Sequence, residues 1–180
     1  MVQQNLRSVA LWLAYAIILM APGAAWTGEF IDPHAGYRVK VNDVDAWTSQ
    51  LTNTPGVTSR LCLARQSPRL ILCFQALHEN LAAISAADLA QGFVNGVAQS
   101  LGVDAPGELM PQSFAELSGF SQRLILPPPA ELSDVWMFAG VGPSGQVQTA
   151  VAFSAPGERD RTRSQVHAIV NAVRFDGDRS

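Results

Sequence analysis

The sequence is poor in lysine and in charge as a whole. Lys40 is the single lysine among twelve basic residues, and charged residues make up 15% of the 180-residue chain. The net charge is −3 at pH 7, and residues 26–180 carry fifteen acidic and eleven basic residues, a balance of −4. A nucleic-acid-binding face needs an excess of positive charge to displace phosphate counterions. The composition therefore argues against nucleic acid as a partner.

Motifs of several enzyme classes are also missing. The sequence has no Gly-x-Ser-x-Gly motif for a serine nucleophile. Its nearest glycine-rich stretch, Gly140–Gly145, precedes a strand pattern, whereas a phosphate-binding loop must lead into a helix. The three histidines, His34, His78 and His167, do not show metal-ligand spacing. No motif therefore predicts a catalytic residue or a cofactor.

One pair of residues keeps a metal site open as an alternative. Asp32 and His34 are separated by a single residue, so a carboxylate and an imidazole could reach the same cation. A solvated loop is the competing interpretation. A hydrolase or a metal-dependent enzyme would need a site assembled from scattered residues such as Asp32, His34 and Glu79.

The first 25 residues have the layout of a secretory signal peptide. A polar start with one charge, Arg7, leads into the apolar run Val9–Ala21 and then into small residues up to Ala25. A membrane-spanning helix needs about 20 apolar residues, more than this run contains. We therefore expect cleavage after Ala25 and a periplasmic or secreted single domain over residues 26–180. An uncleaved leader that anchors an accessory subunit in the membrane is the alternative.

The two cysteines lie in neighbouring strand-like runs. These runs, Arg60–Arg65 and Arg69–Phe74, flank a three-residue turn signal. Antiparallel pairing across that turn places Cys62 opposite Cys73, close enough for a bridge. An even cysteine count in an oxidising compartment favours a disulfide. Two free buried thiols are the alternative.

Ser85–Gly102 has the clearest helical pattern. Ser85 followed by Asp88 is typical of a capping box. Residues at four-residue steps predict the buried face: Leu89, Phe93, Val97 and Leu101. Gly92 and Gly96 lie beside this stripe and each weaken a helix by roughly 1 kcal/mol. Close packing of the helix on a sheet would explain them.

A second helix is predicted to begin near Glu158 and to end at Arg174–Gly177. Its apolar face consists of Val166, Ile169, Val170 and Val173. The opposite face carries three arginines: Arg159, Arg161 and Arg163. Such a run is usually a solvated face, and a site for a partner or a phosphate is the alternative. Trp47, which lies among polar residues, is a further weak candidate because it could edge a binding groove.

The remaining patterns predict the fold class. Strands are predicted at Tyr37–Val41, Asp134–Val141 and Gln146–Ser154. The segment Ser113–Leu126 is expected to hold one or two short strands around Ser118-Gly119. Trp26–His34 and Val103–Gln112 are expected to be irregular. Strands that pair locally beside separate helices predict an α+β fold, an antiparallel sheet flanked by helices.

Three pieces of the chain resemble the PsbP-like family. They are Gly36-Tyr37-Arg-Val with a following Trp47, the helix Ser85–Gly102 after the first hairpin, and Val173-Arg-Phe175 near the end. The family includes proteins of the oxygen-evolving complex, periplasmic DcrB-like proteins and a nuclear Ran-binding branch. The resemblance implies a PsbP-like sandwich. Because members are mostly non-catalytic and bind different partners, it also implies a binding or accessory protein whose partner is an envelope protein or a small ligand.

Overall fold

The computed structural model describes residues 28–54, 58–77, 85–104, 107–142 and 145–175. These residues form β1 (Glu29–Asp32), β2 (Tyr37–Lys40), a short 3-10 helix (Val44–Ala46), β3 (Trp47–Thr54), β4 (Thr58–Gln66), β5 (Arg69–Leu77), α1 (Ala86–Ser100), β6 (Met110–Phe114), β7 (Leu117–Ile125), β8 (Asp134–Val141), β9 (Val147–Ser154), α2 (Arg159–Asn171) and β10 (Val173–Phe175). The predicted leader, Trp26, His78 and Glu79 lie outside the described residues. No helix within the described ranges has the length and hydropathy of a membrane span.

The strands form two antiparallel sheets. A small sheet has the order β1-β2-β10, and a large one has the order β3-β4-β5-β9-β8-β7-β6. Helix α1 lies on β7 and β8, while α2 contacts β9, β2 and β6. The small sheet and α2 share one hydrophobic core with the large sheet, and α1 encloses a second core on the opposite face. The predicted α+β class is confirmed.

The β4/β5 hairpin has the predicted register. Cys62 lies opposite Cys73, and their Sγ atoms are 2.13 Å apart in a disulfide bond. Alternate residues of both strands, such as Leu63 and Leu72, are fully buried under the small sheet and α2. The cysteines are on the other face and are half-buried. The alternation of buried and half-buried residues in the sequence was therefore sufficient to predict the pairing register of the hairpin.

Helix α1 begins as the sequence predicts. The Ser85 hydroxyl accepts a hydrogen bond from the Asp88 backbone N–H at 3.1 Å and donates to the Asp88 carboxylate at 2.7 Å. The buried face is different from the expected one, because Ala90, Val94 and Ala98 are buried and the predicted stripe is half-buried. Small side chains let the helix axis approach β7 and β8 closely, so the larger residues flank the contact.

The explanation offered for the helix glycines is wrong. Gly92 and Gly96 are exposed, and a Cβ at either position would meet no described atom within 4 Å. The close approach lies at Gly119 instead, which faces Gly140 across β7 and β8. A Cβ at Gly119 would be 2.0 Å from the Ala139 carbonyl oxygen. These two strands therefore require glycine at this crossing point.

The ends of the described chain pair with each other. The stretch expected to be irregular contains β1, and the predicted last helix stops at Asn171 because the chain turns into β10. In the small sheet, Val173 lies opposite Val39 and Phe175 opposite Tyr37. The strand predicted at Tyr37–Val41 is β2, but partners so distant in sequence leave no local pattern that reports their pairing.

Two other boundaries differ from expectation. β6 begins inside the predicted loop Val103–Gln112. Its turn into β7 falls at Ala115 and Glu116, so Ser118 and Gly119 lie within β7. β3 was not predicted as a strand, because its polar sequence lacks an alternating pattern. It is an edge strand, so solvent covers much of its surface.

Replacing glycines with alanine tests two conclusions: that Gly92 on α1 has free space around it, and that Gly119 is in close contact with β8. Gly92→Ala is expected to raise the free energy of unfolding by about 1 kcal/mol, because alanine is the better helix former and meets no neighbour. Gly119→Ala should lower it by about 3 kcal/mol through overpacking. Urea denaturation followed by circular dichroism measures both changes. A Gly119→Ala variant with the wild-type free energy of unfolding would contradict the close approach of β7 and β8 at this position.

Removing the disulfide tests the hairpin. The double variant Cys62→Ala/Cys73→Ala should lose about 3 kcal/mol of unfolding free energy, because the bridge closes a short loop in the unfolded chain. Reductant should destabilise the wild type by a similar amount and leave the double variant unchanged. Two titratable thiols in the unreduced wild type would show that the bridge does not form.

Candidate functional site

A cleft opens between the N-terminal half of α2 and the strands β6 to β9. We call it the α2 cleft, and its volume is about 470 Å³. Its lining residues are Leu70, Met110, Pro111, Gln112, Ser121, Gln122, Arg123, Asp134, Trp136, Ala152, Ser154, Arg159, Thr162, Arg163, Val166 and His167.

The C-terminal half of α2 is held against β6. The Asn171 side chain accepts a hydrogen bond from the Ala115 N–H at 2.8 Å, and the His167 ring lies 5.6 Å from that of Phe114. Towards the other end of the helix, the sheet presents small side chains, Ala152 and Ser154. These residues leave the space between helix and sheet that larger ones would fill.

Aromatic rings form one wall of the α2 cleft. Trp136 stacks on Phe138, with ring centroids 6.0 Å apart and planes inclined by 4°. Phe114 meets Phe138 edge-on at 5.1 Å, and the His167 ring lies 5.5 Å from Trp136. Trp136 remains half-buried, so part of the indole faces the cleft. A planar apolar group could stack there.

The charges around the α2 cleft do not balance. Arg123 forms a bidentate ion pair with Asp134, so the charges of the two side chains compensate each other. Arg159 and Arg163 are exposed, and neither has an ion-pair partner in the part of the chain that the structure describes. The lining thus combines three arginines with one carboxylate. This excess of positive charge favours an anion.

His167 sits between the arginines and the aromatic wall. Burial, and then the nearby Arg163 charge, lower the pKa of the imidazole below its ordinary value. Its Nε2 atom is inaccessible to solvent and has no hydrogen-bond partner among the described residues. The ring is therefore neutral at pH 7 and acts as part of the cleft wall.

The structure separates the predicted partner-binding residues. Arg159 and Arg163 line the α2 cleft, whereas Arg161 lines a second groove of about 600 Å³ together with Trp47. Trp47 is 2% exposed, and its indole N–H donates to the Asn42 carbonyl at 3.2 Å. The Arg65 guanidinium lies 5.8 Å from the centre of the Trp47 ring. The hydrogen bond and the Arg65 contact hold the tryptophan in the core, with one edge reaching the groove.

The weak metal candidates lie at the end of β1, which Asp32 closes, and in the turn that follows, which contains His34. Asp32 is fully buried, and its Oδ1 accepts backbone N–H bonds from His34 and Ala35 at 3.1 and 3.2 Å. The His34 side chain is exposed. Within the described residues, His, Cys, Asp and Glu form no group of three or more that could hold a metal ion. Glu79, the third residue of the enzyme alternative, lies outside those residues.

No family model matches the chain, and no curated protein matches it. Its structure is similar to the solution structure of cyanobacterial PsbP (CyanoP) from Synechocystis sp. PCC 6803, with a TM-score of 0.56 and 13% identity. The match covers 88% of this chain and 98% of that one. This chain has a PsbP-like fold.

A crystal structure from Bacteroides thetaiotaomicron VPI-5482 is similar at a TM-score of 0.48 and 8% identity. The match covers 82% of this chain and 48% of the other, so this chain spans about half the length of that protein.

The PsbP-like fold explains where the quoted sequence pieces lie. Tyr37 of the first piece and Phe175 of the last are opposite each other in the small sheet. The α2 cleft involves neither residue. Sequence reasoning missed the cleft, although Arg159, Arg163 and His167 recur at four-residue intervals and therefore share one helix face.

The lowered pKa of His167 predicts a pH-dependent stability. The unfolded chain binds a proton on this residue at a higher pH than the folded chain, so protonation favours unfolding. As the pH falls from about 8 to about 5, through the ordinary histidine pKa, the wild type should lose more unfolding free energy than His167→Gln. Urea titrations across this range measure the difference. His34→Gln, which changes an exposed histidine, should follow the wild type.

Equal pH profiles for the wild type and His167→Gln would contradict the burial of this imidazole. A profile that changes only in His34→Gln would place the titrating group in the β1–β2 turn instead.

Proposed function

We propose that this chain is an exported, non-enzymatic binding or accessory protein of the cell envelope that recognises its partner through the α2 cleft. The signal-peptide layout of residues 1–25 supports export. A cysteine pair at disulfide distance fits an oxidising compartment. The PsbP-like fold is compatible with the accessory role that the sequence resemblance implies.

The observation that carries the proposal is the composition of the α2 cleft. An aromatic wall adjoins two exposed arginines that lack described partners, within a volume of about 470 Å³. Ligand sites typically have volumes of about 300–1,000 Å³ and combine apolar surface with a few polar groups that orient the ligand. The α2 cleft has both properties.

The surroundings of the titratable groups favour binding over catalysis. A general base must lie within hydrogen-bonding reach of the proton that it removes. In the α2 cleft, the His167 imidazole is instead packed against Phe114 and Trp136, with its Nε2 atom enclosed. Asp134 is engaged by Arg123. Both groups are thus committed to the structure of the wall.

Export is tested by intact mass. The full chain, expressed in a bacterial host, should appear in the periplasmic or secreted fraction. Its intact mass should be that of a chain that begins at Trp26, and it should contain no free thiol. A protein that retains residues 1–25 in the membrane fraction would support the anchored accessory subunit instead. Retention of the whole chain in the cytoplasm would overturn the proposed location.

Recognition through the cleft is tested by a matched pair of variants. Arg163→Glu and Arg161→Glu make the same charge change on the same helix, but only Arg163 lines the α2 cleft. Envelope partners and small molecules retained by the exported protein should be lost from Arg163→Glu and kept by Arg161→Glu. Crosslinking and mass spectrometry of the retained material measure both. Identical retention by the wild type and Arg163→Glu would exclude the cleft as the recognition surface.

A further inference from the structure

We propose that the α2 cleft binds a small organic anion in which an acidic group is attached to a planar apolar body. This inference rests on the proposed function and specifies the ligand class of the same site. It follows from how the arginines and the aromatic wall are placed relative to each other.

The acidic group is assigned to Arg159 and Arg163, which have no ion-pair partner among the residues that the structure describes. Arg159 and Arg163 are one helical turn apart on α2, a spacing that puts their Cβ atoms about 5–6 Å from each other. Both line the cleft, and both are exposed. A guanidinium group presents a planar fork of donors that matches a carboxylate or a phosphate oxygen pair. One acidic group can therefore contact both arginines.

The third arginine of the cleft does not compete for the ligand. Arg123 is engaged by both carboxylate oxygens of Asp134, whose side chain is 9% exposed. Breaking this pair would leave a buried carboxylate uncompensated. The ion pair is therefore expected to remain intact when a ligand binds. The net positive charge of the lining comes from Arg159 and Arg163.

The planar body is assigned to the wall beside these arginines. Trp136 exposes part of its indole to the cleft, and the ring is held in place by Phe138 behind it and by His167 beside it. Offset stacking on a fixed ring stabilises a bound planar group beyond the burial of its apolar area. Met110, which is 66% exposed at the rim, supplies a flexible apolar side chain over the opening.

The size of the cleft favours a small molecule over a protein segment. A volume of about 470 Å³ lies in the lower half of the range typical of ligand pockets. Protein interfaces are usually broader, with about 800 Å² buried on each partner. The competing occupant is an acidic peptide, whose carboxylates could also bind the two arginines. The experiment must therefore distinguish a small molecule from such a peptide.

A pair of isosteric probes separates the two parts of the assignment. 2-Naphthoate carries the acidic group and the planar body, whereas 2-naphthamide carries the planar body alone. Calorimetric titration of the exported protein should show tighter binding of 2-naphthoate, weakened by rising salt concentration. Bound 2-naphthoate should shift the indole N–H resonance of Trp136 and leave that of Trp47 unchanged.

Arginine variants locate the charge. Arg163→Gln and, as a second variant, Arg159→Gln should each bind 2-naphthoate roughly tenfold more weakly, since each loses one hydrogen bond to a charged group. Their affinity for 2-naphthamide should stay that of the wild type. Arg161→Gln removes the same charge from the same helix and should keep the wild-type affinity for both probes. Thermal melts confirm that each variant is folded.

The outcomes separate this inference from the proposed function. Equal binding of both probes, with no effect of Arg159→Gln or Arg163→Gln, would overturn the anion assignment. Failure of both probes would overturn the small-molecule ligand; if a glutamate-rich peptide then displaces the retained envelope partner, the occupant is acidic peptide. Neither result with the probes bears on the proposed function, which is overturned by retention from the envelope that is independent of Arg163 or by failure of export.

Discussion

The packing of Tyr37 connects the parts of this fold that are most distant in sequence. Its ring lies 6.3 Å from Phe74 of the large sheet and 6.3 Å from Phe175 of β10, and the side chain is fully buried. Burial, and then the charge of nearby Asp32, raise the pKa of the phenol above its ordinary value, so the hydroxyl stays protonated. The small sheet is thereby fixed on the large one. Because α2 leads directly into β10, this contact also sets the position of the helix that forms one side of the cleft.

Local patterns predicted the local features of the structure. The Cys62–Cys73 pairing and the Ser85 cap each join residues at most eleven positions apart. The period of two and the capping box describe such contacts directly. The pairing of β2 with β10 joins Val39 to Val173, and no local pattern reports it. Two of the three sequence pieces that resemble the PsbP-like family lie at these strands, but the expectations drawn from the resemblance did not include their pairing.

The candidate site was predictable only in part. The sequence singled out Arg159 and Arg163, but treated them together with Arg161 as one charged run. On a helix, alternate residues point away from each other, and the structure places Arg161 in a different groove. Trp136 and Ala152 complete the cleft from strands that the sequence predicted correctly. Their role depends on how far α2 stands from the sheet, which is a property of tertiary packing and is set by contacts such as Asn171 with Ala115.

The short connection after α2 links the cleft to the small sheet. Ala172 alone separates the helix, which is about 20 Å long, from β10. The N-terminal half of the helix carries the arginines of the cleft, and β10 pairs with β2. One side of the cleft and the seam that joins the two ends of the described chain are therefore built from a single stretch, Arg159–Phe175, so a substitution that displaces β10 would also displace the cleft arginines.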